Sequence, residues 1–411
     1  MDQIALLFSG QGSQYKGMAQ REYDHVPAVR SLFAEAEEIL GWDVKKLCFE
    51  DPDGRLSQTR FAQPALYTVC MGMFIAFQEL AQDDPAYVAG HSLGEYAALT
   101  AAGAMTFRDG LKLVQHRGHV MQEAAEHAQG SMYVIRGLEQ ALVEAACRDI
   151  SKQQGYVVVA NYNSSEQHVI SGTGEGVSAT VAQLERQGAT AIPMAIQAPF
   201  HSKLMDAAAL SFRSVLDEVS LTLPQWPVIS NVTGLPYPED IEQMKDLLAS
   251  QIKLPVLWNI AMSTLHHAGI DTVLEIGPRH ILRNLAVQNY PGMTAYAWDQ
   301  EEDRAIFLKG ARDRDEQRST MASGNMMIQK CIAAAVSTRN RNWSESEYQE
   351  GVVRPYREVK ELFFHLKDSG GEANEQQVQQ ARRMLESVLA TKKVPREEQA
   401  SIWQDILHPL A

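Results

Sequence analysis

The chain has 411 residues, 45% of them hydrophobic, and a formal net charge of −14. That is enough apolar content for two or three domains, and the wrong overall sign for a nucleic-acid partner. No apolar run is expected to cross a bilayer and no basic, then apolar, leader opens the sequence, so no membrane partner is expected and the cytoplasm is the expected compartment. Four scattered cysteines show no C-x-x-C spacing, which points to buried free thiols and to no metal site. The acidic excess lies in the body, because residues 301–411 carry 17 basic and 18 acidic side chains.

In chain order, residues 3–8 read as a strand, followed by the glycine-rich turn Ser9-Gly10-Gln11-Gly12-Ser13-Gln14. Helical spacing covers residues 29–40 and 64–80. A short apolar strand at 86–89 then leads into Gly90-His91-Ser92-Leu93-Gly94 and a helix-favouring run, and a further helix spans 111–125. Between 130 and 197 the order is strand 132–135, helix 140–150, strand 156–161, strand 168–171, helix 176–186, strand 190–196. This is the β-α-β-β-α-β order of a split βαβ, ferredoxin-like unit. The surrounding α/β body, 1–129 and 198–303, resumes with a strand at 228–230, a helix at 244–252 and a strand at 273–276. Residues 304–325 are polar and read as a linker; 326–411 read as a helical extension with helices at 327–336, 356–366, 375–389 and 395–407.

G-x-S-x-G between a strand and a helix is the arrangement that lifts a serine hydroxyl out of a sharp turn toward the N–H groups of a new helix. Ser92 is therefore the candidate nucleophile. Its candidate base is His201, which follows the last strand of the inserted unit and so returns to the cleft between the two subdomains. The N–H groups of Leu93, in the elbow, and of Gln11, in the first turn, are candidate donors to an oxyanion. His91 ends the strand and is expected to shape the elbow. Arg117, on the helix after the elbow helix, could offer a planar fork to a carboxylate or simply face solvent.

Taken together, Phe8-Ser9-Gly10-Gln11-Gly12-Ser13-Gln14, Gln63-Pro64-Ala65, Gly90-His91-Ser92-Leu93-Gly94-Glu95, Arg117-Gly118, Asn161-Tyr162-Asn163-Ser164, Phe200-His201-Ser202 and Glu275-Ile276-Gly277-Pro278 resemble the malonyl-CoA:acyl-carrier-protein transacylases, in order and in spacing. The resemblance covers about the first 300 residues. It implies an α/β fold: an α/β-hydrolase-like large subdomain with an inserted ferredoxin-like small subdomain, here carrying a C-terminal helical extension. It also implies Ser92 as nucleophile, His201 as base, Gln11 and Leu93 as oxyanion donors and Arg117 as the clamp for the malonyl carboxylate. Gln251 would orient the histidine through its main-chain carbonyl, and Gln63, Met121, Met132 and Phe200 would line the substrate pocket. The implied reaction is ping-pong transfer of malonyl from malonyl-CoA to an acyl carrier protein, by a monomer needing no cofactor beyond the donor's coenzyme A. The tail lies beyond the usual end of stand-alone relatives and suggests polyketide or lipopeptide synthesis. Two other readings remain open: an acyl hydrolase that clears carrier proteins, and a non-catalytic carrier-docking protein.

Overall fold

The structure is a computed structural model that describes residues 3–407 apart from 82, 129, 196 and 197, and apart from the side chains of 313–323 and 407. Nine strands are assigned among the described residues: β1 (Ile4–Phe8), β2 (Tyr87–Gly90), β3 (Gly130–Arg136), β4 (Val157–Tyr162), β5 (Gln167–Thr173), β6 (Thr190–Pro193), β7 (Val228–Ile229), β8 (Thr272–Ile276) and β9 (Thr294–Ala297). The chain divides into two compact units, 1–308 and 309–411.

In the first unit, β1 is apolar and buried at every position, as expected of a strand covered on both faces. It is the centre of a parallel sheet in the order β7-β2-β1-β8-β9. The register pairs Phe8 with Gly90 on one side and with Ile276 on the other. Three chain exits therefore meet at one carboxyl edge, beside the strand where the connections change direction, which is where open α/β sheets place their ligands. β3 to β6 form a separate antiparallel sheet in the order β4-β5-β3-β6. Val143, Ala146 and Ile150 of the helix Gln140–Gln153 and Val177 and Leu184 of the helix Gly174–Arg186 pack on Ile135, Val157, Val159 and Ile170. Two backbone hydrogen bonds tie β4 to the body, Tyr162 N–H to the Val256 carbonyl at 2.9 Å and Val256 N–H to the Ala160 carbonyl at 2.8 Å. The sequence-expected end of β6 at 196, the subdomain boundaries at 129 and 197, and residues 1–2 and 408–411 lie outside the described residues.

Several elements depart from the sequence reading. The stretch 304–325, expected as a linker, is helical: it belongs to the helix Glu301–Ser337. At least half of these residues are good helix formers, led by Arg and Ala, and Glu301, Glu302 and Asp303 favour the N-terminal end of the dipole. Polarity without an apolar stripe had hidden a helix. The helix expected from residue 64 begins at Thr59, with Pro64 inside it, and Thr59–Ala81 is long and apolar enough to cross a bilayer. However, 72% of its apolar window is buried inside the protein, so it is a core helix. The helices Asp206–Asp217, Trp258–His267 and Ile281–Asn289 and the edge strand β9 were not anticipated. All four cysteines are buried and free.

The second unit is helical. Asn374 and Gln377 form a reciprocal capping box at the start of the helix Glu375–Thr391. Ala381, Met384, Leu385, Val388 and Leu389 form one buried face, with Val378 at its margin, against Ile328, Cys331, Val359 and Leu366.

Candidate active site

The elbow is built by exclusion. A Cβ on Gly94 would run into the carbonyl of Phe8, and one on Gly90 into the backbone of Gly94 and Glu95. Only glycine lets the helix Gly94–Ala101 start this close to β1 and β2. Between them Ser92 sits at φ 51°, the left-handed region, a conformation that costs a non-glycine residue about 1–3 kcal/mol and persists where its surroundings hold it. Gly10 packs so closely on the elbow that a Cβ there would meet the His91 carbonyl, which brings the first turn alongside Ser92. Neither the Gln11 nor the Leu93 N–H has a hydrogen-bond acceptor among the described residues.

Ser92 Oγ lies 2.8 Å from His201 Nε2. His201 Nδ1 faces two carbonyls, Gln251 O at 2.8 Å and Leu254 O at 3.2 Å. Carbonyls only accept, so Nδ1 carries the proton and Nε2 is left to accept from the Ser92 hydroxyl. Burial first, and then the Arg117 cation, lower the His201 pKa to about 3, so the imidazole is neutral near pH 7.

Arg117 comes from the helix Phe107–Ala128 and is 1% exposed. Its Nη2 donates to Ser92 Oγ at 3.0 Å and to Gln251 Oε1 at 2.9 Å, its guanidinium lies over the Tyr96 ring at 5.2 Å, and its Nε is buried without a partner. The surface alternative for Arg117 is thereby replaced: the guanidinium is inside, aimed at the serine. Gln63 is fully buried and donates from Nε2 to Gln11 Oε1 at 3.2 Å and toward Met121 Sδ at 3.6 Å. Phe200 is buried beside His201, and its carbonyl accepts from Ser171 Oγ at 2.7 Å. Ser171 is the cross-strand neighbour of Met132, so Met132 is linked to the site through β5. His91 turns away to Asn163 Oδ1 at 2.9 Å and packs on Trp258. Among the described residues no group of three His, Cys, Asp or Glu side chains could hold a metal ion.

Sequence reasoning missed Asn231 and the side chain of Gln251. Asn231 Oδ1 accepts from Ser92 N–H at 2.6 Å and its Nδ2 donates to the Gly90 carbonyl at 2.7 Å. Gln251 Nε2 donates to the Ser92 carbonyl at 2.6 Å. A signal for Asn231 was available in its position two residues past Ile229, at the carboxyl edge of the sheet.

The acyl transferase domain family matches residues 5–307. A malonyl CoA-acyl carrier protein transacylase of Bacillus subtilis is 33% identical over 408 residues, covering 98% of this chain and 100% of the relative. The chain belongs to the malonyl-CoA:acyl-carrier-protein transacylases. It is thus an acyltransferase, and the alignment with this relative of the family runs through the second unit as well. A polyketide biosynthesis malonyl CoA-acyl carrier protein transacylase of Bacillus velezensis is 38% identical over 287 residues, 69% of this chain and 95% of the relative. A malonyl-transacylase solved in complex with its type II polyketide synthase acyl-carrier protein superposes with a TM-score of 0.72 at 34% identity, covering 75% of this chain and 99% of that one. The transacylases share the α/β fold, and the antiparallel sheet and additional helices described above complete it here.

Proposed function

We propose that the protein moves malonyl from malonyl-CoA to the phosphopantetheine thiol of an acyl carrier protein through a malonyl ester on Ser92. The observation that carries this reading is the buried Arg117 fork, 3.0 Å from the nucleophile and with an unpartnered Nε. A guanidinium there suits an acyl group that ends in a free carboxylate.

His201 Nε2 takes the Ser92 proton as Oγ attacks the thioester carbon, and the Gln11 and Leu93 N–H groups hold the oxyanion. The C–S bond breaks, and His201 returns the proton to the coenzyme A thiolate. In the second half His201 deprotonates the carrier thiol, sulfur attacks the ester, and the Ser92 oxygen leaves with that proton. Arg117 also acts on the base. Its positive charge disfavours a second cation on His201, and a malonyl carboxylate paired with it offsets that charge, so the substrate makes the imidazolium less costly. Gln251 fixes the tautomer through its carbonyl, Gln63, Met121 and Met132 line the pocket, and the Phe200 ring disfavours an α-methyl branch. No cofactor beyond coenzyme A enters, and the cytoplasm is the compartment we propose. We further propose a role in polyketide or lipopeptide synthesis, for which the polyketide-associated relatives are the support.

Intact-mass spectrometry after mixing with malonyl-CoA tests the reading. The expected result is a malonyl adduct on Ser92 that persists without a carrier and is discharged by one. No adduct would overturn the reading in favour of docking, and rapid loss to water in favour of hydrolysis.

A further inference from the structure

Glu95, the residue directly after the G-x-S-x-G elbow, is fully buried and is not used in the steps above. Its Oε1 accepts from the Tyr237 hydroxyl at 2.5 Å and from Asn231 N–H at 3.1 Å, and its Oε2 accepts from Gln251 Nε2 at 2.7 Å. All of these partners donate, so the pocket suits a carboxylate with every oxygen accepting. The two residues it grips then grip Ser92 from opposite sides. Asn231 holds the Ser92 N–H and the Gly90 carbonyl, while Gln251 holds the Ser92 carbonyl and presents Oε1 to Arg117. Gln251 uses both amide hydrogens and its oxygen, so its orientation is determined: rotated by 180°, it would turn an NH2 toward the guanidinium.

We propose that Glu95 is a positioning residue: acting through Asn231 and Gln251, its ionised carboxylate holds Ser92 in its left-handed conformation and keeps the Arg117 fork aimed at the hydroxyl. This deepens, and rests on, the reading of Ser92 and His201 as the reacting pair. Glu95 and Arg117 form no direct ion pair, and the interposed amide leaves the guanidinium a free side for an incoming carboxylate. The charged or titratable groups facing Glu95 are Arg117, Tyr237 from the loop after β7, and Tyr96 on its own helix. Both tyrosines are held protonated by burial. Burial also raises the Glu95 pKa to about 7, against the pull of its donors and of Arg117, while His201 stays neutral down to about pH 3. Loss of the relay on acidification is therefore separable from protonation of the base.

The test is the rate at which a small fluorophosphonate without a carboxylate labels Ser92, followed from pH 5.5 to 9 with the fold monitored by circular dichroism. In the unmodified protein the rate is expected to fall as pH drops through about 7. In Glu95→Gln, an isosteric change that sets one NH2 against another, labelling is expected to be slower by about 10- to 100-fold, the cost typical of a misplaced reacting group, and the limb near 7 disappears. A folded Glu95→Gln protein labelled at the normal rate with the same limb would overturn the proposal. So would an unmodified protein with no limb in that range, which covers the case of a variant that does not fold. A protein that labels normally yet takes no malonyl would overturn the malonyl reading and leave the relay standing.

Discussion

Within residues 1–308, the fully covered side chains include Glu95 and Glu275, with Arg117 only 1% exposed. Within 309–411, Lys392 is the one buried charged side chain among the described residues. Lys392 serves the fold, since its Nζ donates to the carbonyls of Ala335 and Thr338, each at 2.8 Å, and so closes the end of the helix Glu301–Ser337. In the first unit Lys245 plays a similar part, donating to the Asp217 carbonyl, and Glu22 and Asp51 lie away from the sheet's end, but Glu95, Arg117 and Glu275 gather around the loops at the carboxyl edge of the parallel sheet. Glu275 accepts from Ser9 Oγ at 2.8 Å and from Arg283 N–H at 2.9 Å, holding the turn that carries Gln11. Burying a charge costs folding free energy unless it is paired, so three of them around the candidate site mark a place where geometry is worth that cost. The second unit is an apolar core with conventional caps.

Four experiments press on this contrast. The largest effect is expected from Ser92→Ala, which should abolish the malonyl adduct and lower transfer by on the order of 10⁴-fold or more while leaving thermal unfolding of both units close to normal. Leu385→Ala, at a fully buried position of the second unit, should cost about 2–5 kcal/mol of that unit's stability. Hydrogen exchange would register this in the helices after residue 309, with loading of Ser92 unchanged. If loading fell as well, the two units would not be functionally separable.

The third experiment concerns pH. Burial raises the Glu275 pKa to about 7, above its unfolded value, so the folded state holds this proton more tightly. The associated stability is fully present below about pH 4.5 and is lost as pH rises through about 7, a contribution on the order of 3 kcal/mol. Glu275→Gln should therefore flatten the stability curve measured by urea titration across that range, and an unchanged slope would remove Glu275 from the set of strained charges. The smallest effect is expected from Arg117→Ala, where loss of a charged hydrogen bond worth about 1.5–3 kcal/mol should slow malonyl loading by roughly 10- to 150-fold and spare acetyl loading. Equal loss for both acyl groups would mean that Arg117 serves the serine and not the carboxylate.

The elbow, the split βαβ order and the return of His201 to the cleft were legible because each is written in a few adjacent residues or in a hydrophobic period. Arg117 was ambiguous in sequence, since a guanidinium on a polar helix reads the same whether it faces water or a serine; only its contacts with Ser92, Gln251 and Tyr96 decide it. Asn231 and the Gln251 side chain were harder to read for another reason: they meet Ser92 across 139 and 159 residues, and although Asn231 stands at the carboxyl edge just past β7, nothing in its neighbourhood pairs it with the elbow. The helix through 304–325 was hidden by its polarity, because helical propensity without an apolar stripe resembles a tether.

The backbone bonds that join Tyr162 and Ala160 to Val256 also bear on how the cleft can move. The antiparallel sheet enters the body's chain at one end and leaves it just before His201, an arrangement that would ordinarily swing like a jaw. The bonds at Val256 fasten its third side, five residues from Gln251. These two bonds restrain that swing. On the malonyl-transfer reading proposed above, a cleft restrained in this way would sort acyl groups by their fit to a shape largely set in advance, and the carrier protein would bring its thiol to Ser92.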